Sequence, residues 1–80
     1  MSVRIVFLGP LRELAREGAR AVPAPLGWDG LLEAVGPAIA AQLREGRIAV
    51  ACAGRVVADA TQLAALDGDE VALLPPVSGG

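Results

Sequence analysis

The residues with the clearest chemical use stand at the end of the chain, in the run Pro75-Pro76-Val77-Ser78-Gly79-Gly80. An α-carboxylate is unreactive by itself. Once adenylated by another protein it is an electrophile, and a thiol or persulfide that displaces AMP leaves a thiocarboxylate, a good sulfur nucleophile. Such an end must enter two different active sites. Two glycines suit that task, because without a Cβ the backbone passes a narrow channel and adopts φ/ψ values closed to other residues. Pro75-Pro76 favours an extended exit, and six residues reach roughly 20 Å at about 3.1–3.6 Å each. The competing reading is a frayed end that happens to finish in Gly-Gly.

The other side chains offer little chemistry. The chain has no His, which excludes Ser-His, Cys-His and His-ligated metal sites. The one thiol, Cys52, falls on the inward side of a predicted strand and reads as a small core residue. A persulfide or thioester role would need a lowered pKa, and no nearby cation supplies one. Asp67, Asp69 and Glu70 read as a turn rather than a calcium loop. No Gly-rich loop followed by Lys is present to hold ATP phosphates. All seven cations are Arg, so the chain forms no Schiff base and accepts no isopeptide bond on Lys. The expectation is a chain that binds no cofactor or metal and lacks catalytic side chains of its own.

Composition sets further bounds. Eighty residues make one domain with a thin core, since a chain this short buries only about 60% of its unfolded surface. An apolar fraction of 54% is enough to fold, yet Phe7 and Trp28 are the sole aromatics, so Leu, Ile, Val and Ala must build the core. A net charge of −2 with no basic run argues against nucleic acid. The apolar start, Val3 to Leu8, is interrupted by Gly9-Pro10 and Arg12-Glu13, unlike a signal peptide. No run approaches the roughly 20 apolar residues of a membrane span. A lone Cys fits a reducing compartment. The expected location is the cytoplasm.

The elements that must position the tail follow from periodicity. Val3 to Leu8 predicts a strand, with Val3, Ile5 and Phe7 on one face and Arg4, Val6 and Leu8 on the other. Pro10 to Glu17 predicts two helical turns with Leu11, Leu14 and Ala15 on one side, stopped by Gly18. Arg20 to Val22 is a brief strand, and residues 23–27 a loop. Asp29 is the expected N-cap of the main helix, whose apolar stripe is Leu31, Leu32, Val35, Ile39 and Leu43, with a kink or break where Pro37 disfavours helix at Gly36. Ile48 to Ala53 is a strand, Gly54-Arg55 a turn, Val56-Val57 the start of a strand, and residues 61–66 a weak helical turn or loop. Asp67-Gly68-Asp69 turns into the last strand, Glu70 to Leu74, which Pro75-Pro76 ends. This order predicts an α+β fold: one mixed sheet of about five strands covered by helices on one face, spanning residues 1–74, with residues 75–80 as an extended C-terminal tail. Val6 and Leu8 on the first strand, and Ala72 and Leu74 on the last, then line a sheet face without cover, a candidate partner surface.

Asp67-Gly68-Asp69-Glu70-Val71-Ala72 followed by Leu73-Leu74-Pro75-Pro76-Val77-Ser78-Gly79-Gly80 resembles the ending of the molybdopterin synthase small subunit. The opening strand followed by Leu11-Arg12-Glu13-Leu14 resembles that family too. The resemblance implies a ubiquitin-like β-grasp fold. It implies adenylation of Gly80 by an E1-like adenylyltransferase that uses ATP, conversion to a thiocarboxylate by a sulfur-donating protein, and entry of Gly79 and Gly80 into a large synthase subunit within a heterotetramer. There sulfur would pass to a pterin precursor, two charged carriers being spent for each dithiolene.

The family's contact positions fall on Leu8, Val56 and Leu74, with Arg12 alongside and Pro75, Pro76, Val77 and Ser78 in the tail. The sequence departs from the family pattern in three places. Leu8 and Leu74 stand where aromatic residues are common. Ala53 replaces an Asn frequent after the third strand. Leu26-Gly27-Trp28-Asp29 replaces a Gly-Ala-Thr-Val lead into the main helix. The alternatives are a sulfur carrier for thiazole, cysteine or tRNA thiolation, and a β-grasp binding module without sulfur chemistry.

Overall fold

The first strand, β1 (Ser2–Phe7), alternates as the residue types require: Val3, Ile5 and Phe7 are fully buried, while Ser2 and Arg4 are exposed. In this computed structural model residues 1–75 are described. The segment expected as the extended tail, apart from Pro75, lies outside the described residues.

The chain continues through α1 (Leu11–Ala15), β2 (Ala19–Pro23), β3 (Leu26–Gly27), α2 (Trp28–Val35), α3 (Pro37–Arg44), β4 (Ala49–Cys52), β5 (Arg55–Val56), a 3₁₀ turn (Ala60–Gln62), β6 (Ala64–Ala65) and β7 (Glu70–Leu74). Five strands form one sheet in the order β2-β1-β7-β4-β5, and β3 and β6 form a separate two-stranded ribbon. Among the described residues only the β1–β7 pair of the main sheet is parallel, so the sheet is mixed. The inward residues Val3, Ile5 and Phe7 of β1, Val50 of β4, and Val71 and Leu73 of β7 meet Leu11 of α1, Leu31 and Val35 of α2, and Ile39, Ala40 and Leu43 of α3. This is the β-grasp arrangement, with the helices packed on one face of a five-stranded mixed sheet.

Local chemistry explains where the elements depart from expectation. Helix α1 is shorter than predicted and ends at Arg16, which adopts a left-handed φ of 62°, rather than at Gly18. The carbonyl of Gly18 already accepts the Phe7 amide at 2.9 Å, so the chain must be extended by that point. Leu11 is buried, but Leu14 is half exposed and lies off the core. Helix α2 begins at Trp28 with Gly27 as its cap, and Asp29 lies in the first turn instead of capping. The reason is the β3–β6 ribbon, which pairs Leu26 with Ala65 and Gly27 with Ala64 and delivers the chain to the helix early. The break expected before Pro37 is present: Gly36 has φ 86° and ψ 165°, and Pro37 opens α3. The β4–β5 turn is Ala53-Gly54, with φ values of 51° and 82°, and Arg55 belongs to β5.

Arg20 secures the helical layer. Its guanidinium donates to the Ala15 carbonyl at 3.3 Å and to the Ala34 carbonyl, at the last turns of α1 and α2. A cation suits helix C-termini, where unpaired carbonyls gather negative charge. The same group lies 5.4 Å from the Phe7 ring centroid and pairs with Glu17 at 2.7 Å.

Candidate functional site: the exit of the central strand and the open sheet face

Strand β7 is the middle strand of the main sheet. Its neighbours hold it on both edges: Leu73 lies between Phe7 and Val50, and Leu74 pairs with Ala49. The chain therefore leaves the sheet from its most constrained position. Pro75, the first residue beyond β7, packs on Gly9, where an added Cβ would stand 3.3 Å from the Pro75 Cγ. Gly9 has φ +55°, so a residue without a Cβ serves both the turn and the close approach. The amides of Leu11 and Arg12 donate to the carbonyls of Leu8 and Gly9 at 3.2 and 3.1 Å, which ties α1 to the same corner. A shallow depression lined by Gly9, Arg12, Glu13, Glu17 and Gly18 lies beside it.

The face away from the helices carries an apolar row that crosses all five strands. Register pairs Ala19 with Val6, Val6 with Ala72, Ala72 with Ala51, and Ala51 with Val56. Leu74 and Ala49 form the adjacent row toward the exit, and Arg4 with Glu70 bounds the opposite side. Small side chains fill the middle, so the face is shallow. Leu8 is 38% exposed and Val56 is 70% exposed, whereas Val6, Ala51, Ala72 and Leu74 are half-buried.

The sequence-derived residues fall into three groups. Leu8, Arg12, Leu74 and Pro75 gather around the exit. Val56 lies apart, two strands away from β7, joined to the exit region by the alanine row. Pro76, Val77, Ser78, Gly79 and Gly80 lie outside the described residues. Ala49 and Ala51 complete the face and were not singled out, because an alanine in a short strand carries no signal of the surface it will join.

Cys52 packs against the core and pairs in register with Val71. Its Sγ donates to Asp69 Oδ2 at 3.9 Å. Burial, then the Asp69 charge and this contact, push the Cys52 thiol above its ordinary pKa. Asp69 also accepts from the Leu66 amide at 2.9 Å, so this carboxylate shapes the turn into β7. Among the described residues no group of three or more His, Cys, Asp or Glu side chains is placed to hold a metal ion, and no helix is long and apolar enough to cross a membrane.

A sequence profile of the ThiS family matches residues 5–80. The chain belongs to the ThiS family. Solved structures resemble this ThiS-family chain over its whole length. The small archaeal modifier protein 1 of Haloferax volcanii is 30% identical, with all of both chains covered and a TM-score of 0.73. A chain from the complex of subunits 1 and 2 of molybdopterin-converting factor from Helicobacter pylori 26695 is 26% identical, again over all of both chains, with a TM-score of 0.66. The small archaeal modifier protein 1 of Methanosarcina acetivorans shares the fold at 21% identity, covering 99% of this chain and 96% of its own, with a TM-score of 0.75. Among curated proteins none matches the chain significantly.

Proposed function

We propose that this ThiS-family chain is a sulfur carrier whose working group is the Gly80 carboxylate. A separate E1-like enzyme adenylates Gly80 with ATP. A sulfur donor then replaces AMP to give a thiocarboxylate, and the charged end delivers sulfur inside a further partner. Residues 1–74 act as the rigid domain and residues 75–80 as the delivery arm, in the cytoplasm. The observation that carries this reading is the position of β7: the strand that precedes Gly79-Gly80 in the sequence is the central strand, and it leaves the sheet beside an apolar face that no other described residue covers. A fixed root on a rigid sheet limits the angles at which the end is presented, which is what delivery to an active site requires.

The carrier role does not depend on one pathway. A carrier for thiazole, cysteine or tRNA thiolation would present the same terminal glycine. A second reading, the small subunit of molybdopterin synthase, is favoured by the Asp67-Gly68-Asp69-Glu70-Val71 and Pro75-to-Gly80 ending. The likeness to a chain of the Helicobacter pylori complex also supports it. In that reading the open face, with Leu8, Val56 and Leu74 and the neighbouring Arg12, seats the large subunit.

The test is intact mass. Incubation with ATP, the activating enzyme and a sulfur source is expected to give one oxygen-to-sulfur exchange at the C-terminus. Persistent absence of that exchange leaves a binding module without sulfur chemistry. The large subunit that co-purifies with the chain then decides the pathway.

A further inference from the structure

We propose that the outer edge of β2, together with the cleft between β2 and α2, docks an extended, cation-bearing segment of another protein as an added antiparallel strand. The site lies apart from the Gly80 chemistry and goes beyond the carrier reading.

Strand β2 stands at one end of the sheet, and no described strand pairs with its outer side. The register fixes which backbone groups it leaves free. The Phe7 amide donates to the Gly18 carbonyl, and the Ala24 amide to the Met1 carbonyl. Bonded and non-bonded pairs alternate along an antiparallel ladder, so Arg20 and Val22 turn their amides and carbonyls to Ile5 and Val3. Ala19 and Ala21 turn theirs outward, and Pro23 adds an outward carbonyl without a donor. No other described backbone group bonds to them. A free edge is ordinarily guarded by a charged side chain, a bulge or a proline. The one charge on β2, Arg20, is turned away, to the carbonyls of Ala15 and Ala34 in the helical layer. The edge from Ala19 to Ala21 is therefore bare, and Pro23 guards only its far end. The opposite edge differs: β5 is two residues long and carries Arg55.

On the helix side of this edge, Val22, Pro25 and Leu26 line an open cleft with Gly30 and Ala34 of α2. Gly30 leaves the floor bare; a Cβ there would stand 3.0 Å from the Leu26 Cδ1. A strand added to β2 alternates its side chains, so every second one lies over the cleft while the others join Ala19 and Ala21 on the open face. The one charged residue lining the cleft is Glu33, which is exposed and makes no ion pair with a described residue. Asp29, one turn earlier, has the same charge, and α2 carries no cation. Arg44 shares a neighbouring hollow with both acids but does not line this cleft. The matching group on the occupant is thus a Lys or Arg beside apolar residues. A second copy of the chain fits less well. Pairing about a two-fold axis at Ala21 would set Ala19 opposite Pro23, whose missing N–H leaves the Ala19 carbonyl unpaired, and would bring together two α2 helices of like charge.

The test is nuclear magnetic resonance titration of the isotope-labelled full chain with the synthetic peptide Thr-Lys-Thr-Val-Thr-Val-Thr-Lys-Thr, blocked at both ends. Its Val and Lys side chains fall on the cleft side and its Thr side chains on the open face. The expected result is a saturable shift of the Ala19, Ala21 and Gly30 amides. In an antiparallel pair the residues opposite Ala19 and Ala21 exchange bonds with them and share their face, so N-methylation of the Thr amides should abolish binding and N-methylation of the Val amides should not. Ala21→Pro removes an outward donor at an edge position that tolerates proline, and should weaken the peptide at least about tenfold at a nearly unchanged melting temperature. Glu33→Lys should weaken it at least about threefold and favour a peptide with Glu in place of Lys. If Ala21→Pro fails to fold, Glu33→Lys and the N-methylated peptides still decide. The proposal is overturned by absence of saturable binding, by loss of binding on methylating Val rather than Thr, by wild-type affinity in the folded variants, or by shifts confined to the face around Ala72 and Ala51. Shifts at Ala19 and Ala21 that grow with chain concentration alone would make a second copy the occupant and overturn it too. No activating enzyme or sulfur source is used, so these outcomes are independent of whether Gly80 is sulfurated.

Discussion

Pro75 rests on Gly9, so the residue that begins the tail is positioned by the turn that follows β1. A Cβ at Gly9 would approach the Pro75 Cγ to 3.3 Å on a backbone already at φ +55°. Gly9→Ala therefore combines a left-handed penalty of roughly 1–2 kcal/mol with a contact that one partner must yield. The expected result is a lower melting temperature together with slower thiocarboxylate formation, since relieving the contact moves the root of the tail. Unchanged loading in a destabilised Gly9→Ala protein would show that the root is not positioned through this contact.

The β4–β5 turn predicts the opposite sign. Ala53 has φ 51° and Gly54 has φ 82°, and Cys52 pairs with Arg55, so the hairpin closes through two residues of positive φ. Such a turn favours Asn-Gly over Ala-Gly. Ala53→Asn is expected to stabilise the domain by about 1 kcal/mol, read as a raised denaturation midpoint with an unchanged slope.

Much of this architecture was legible because it rests on local signals. Alternation in Val3-Ile5-Phe7, the Gly36-Pro37 break and the strand Glu70 to Leu74 each follow from residue types at fixed spacing. The ribbon β3–β6 was not legible, since two-residue strands have no period to detect, and the displaced start of α2 followed from that omission. Arg20 gave no signal of its role because Ala15 and Ala34 become its neighbours only when α1 and α2 pack. The site divides the same way. Gly79-Gly80 stood out through chemistry. The continuous row through Ala72, Ala51 and Val56 depends on β4 lying beside β7, which no local pattern records.

Cys52 yields a pH prediction. Its pKa in the folded chain is raised, so between the ordinary thiol value and the folded value the native state binds more protons than the unfolded state. Stability from this group is full below the unfolded pKa and is lost as pH rises toward the folded one. Thiol labelling should accordingly lag behind a free thiol as pH is raised, and Asp69→Asn should narrow the lag. Cys52→Ala should retain sulfur transfer at a cost of order 1 kcal/mol in stability. Loss of transfer in a folded Cys52→Ala protein would restore a chemical role for the thiol.

The open face predicts separable effects on folding and binding. Val56 is 70% exposed, so Val56→Glu should leave the monomer's melting temperature nearly unchanged. Leu74 is half-buried beside Ala49, so Leu74→Glu should lower it modestly. If the face seats a partner, covering each apolar side chain contributes up to roughly 1.5–3 kcal/mol, and either charge should weaken association more than tenfold. Titration calorimetry of the folded variants against the co-purified partner measures this, and wild-type affinity in both would remove the face from the interface.

The last prediction concerns Gly80. Its carboxylate must reach the α-phosphate of ATP in one enzyme and a sulfur acceptor in another. Both sites must admit Gly79 and Gly80 as bare backbone. A Cβ at position 80 crowds the reacting carbon, and a displacement of about 1 Å can cost on the order of a hundredfold in rate. One added residue holds the reactive end too far along the channel; deletion holds it short. Among the described residues the packed core ends at Leu73, seven residues before this point. Gly80→Ala, deletion of Gly80 and a one-residue extension should therefore melt like the wild type while losing most sulfur loading. Pyrophosphate release separates a failure of adenylation from a failure of sulfur transfer, and intact mass reports the loaded fraction. Loading of the extended chain at the wild-type rate would mean that the Gly80 carboxylate is not the carrier group.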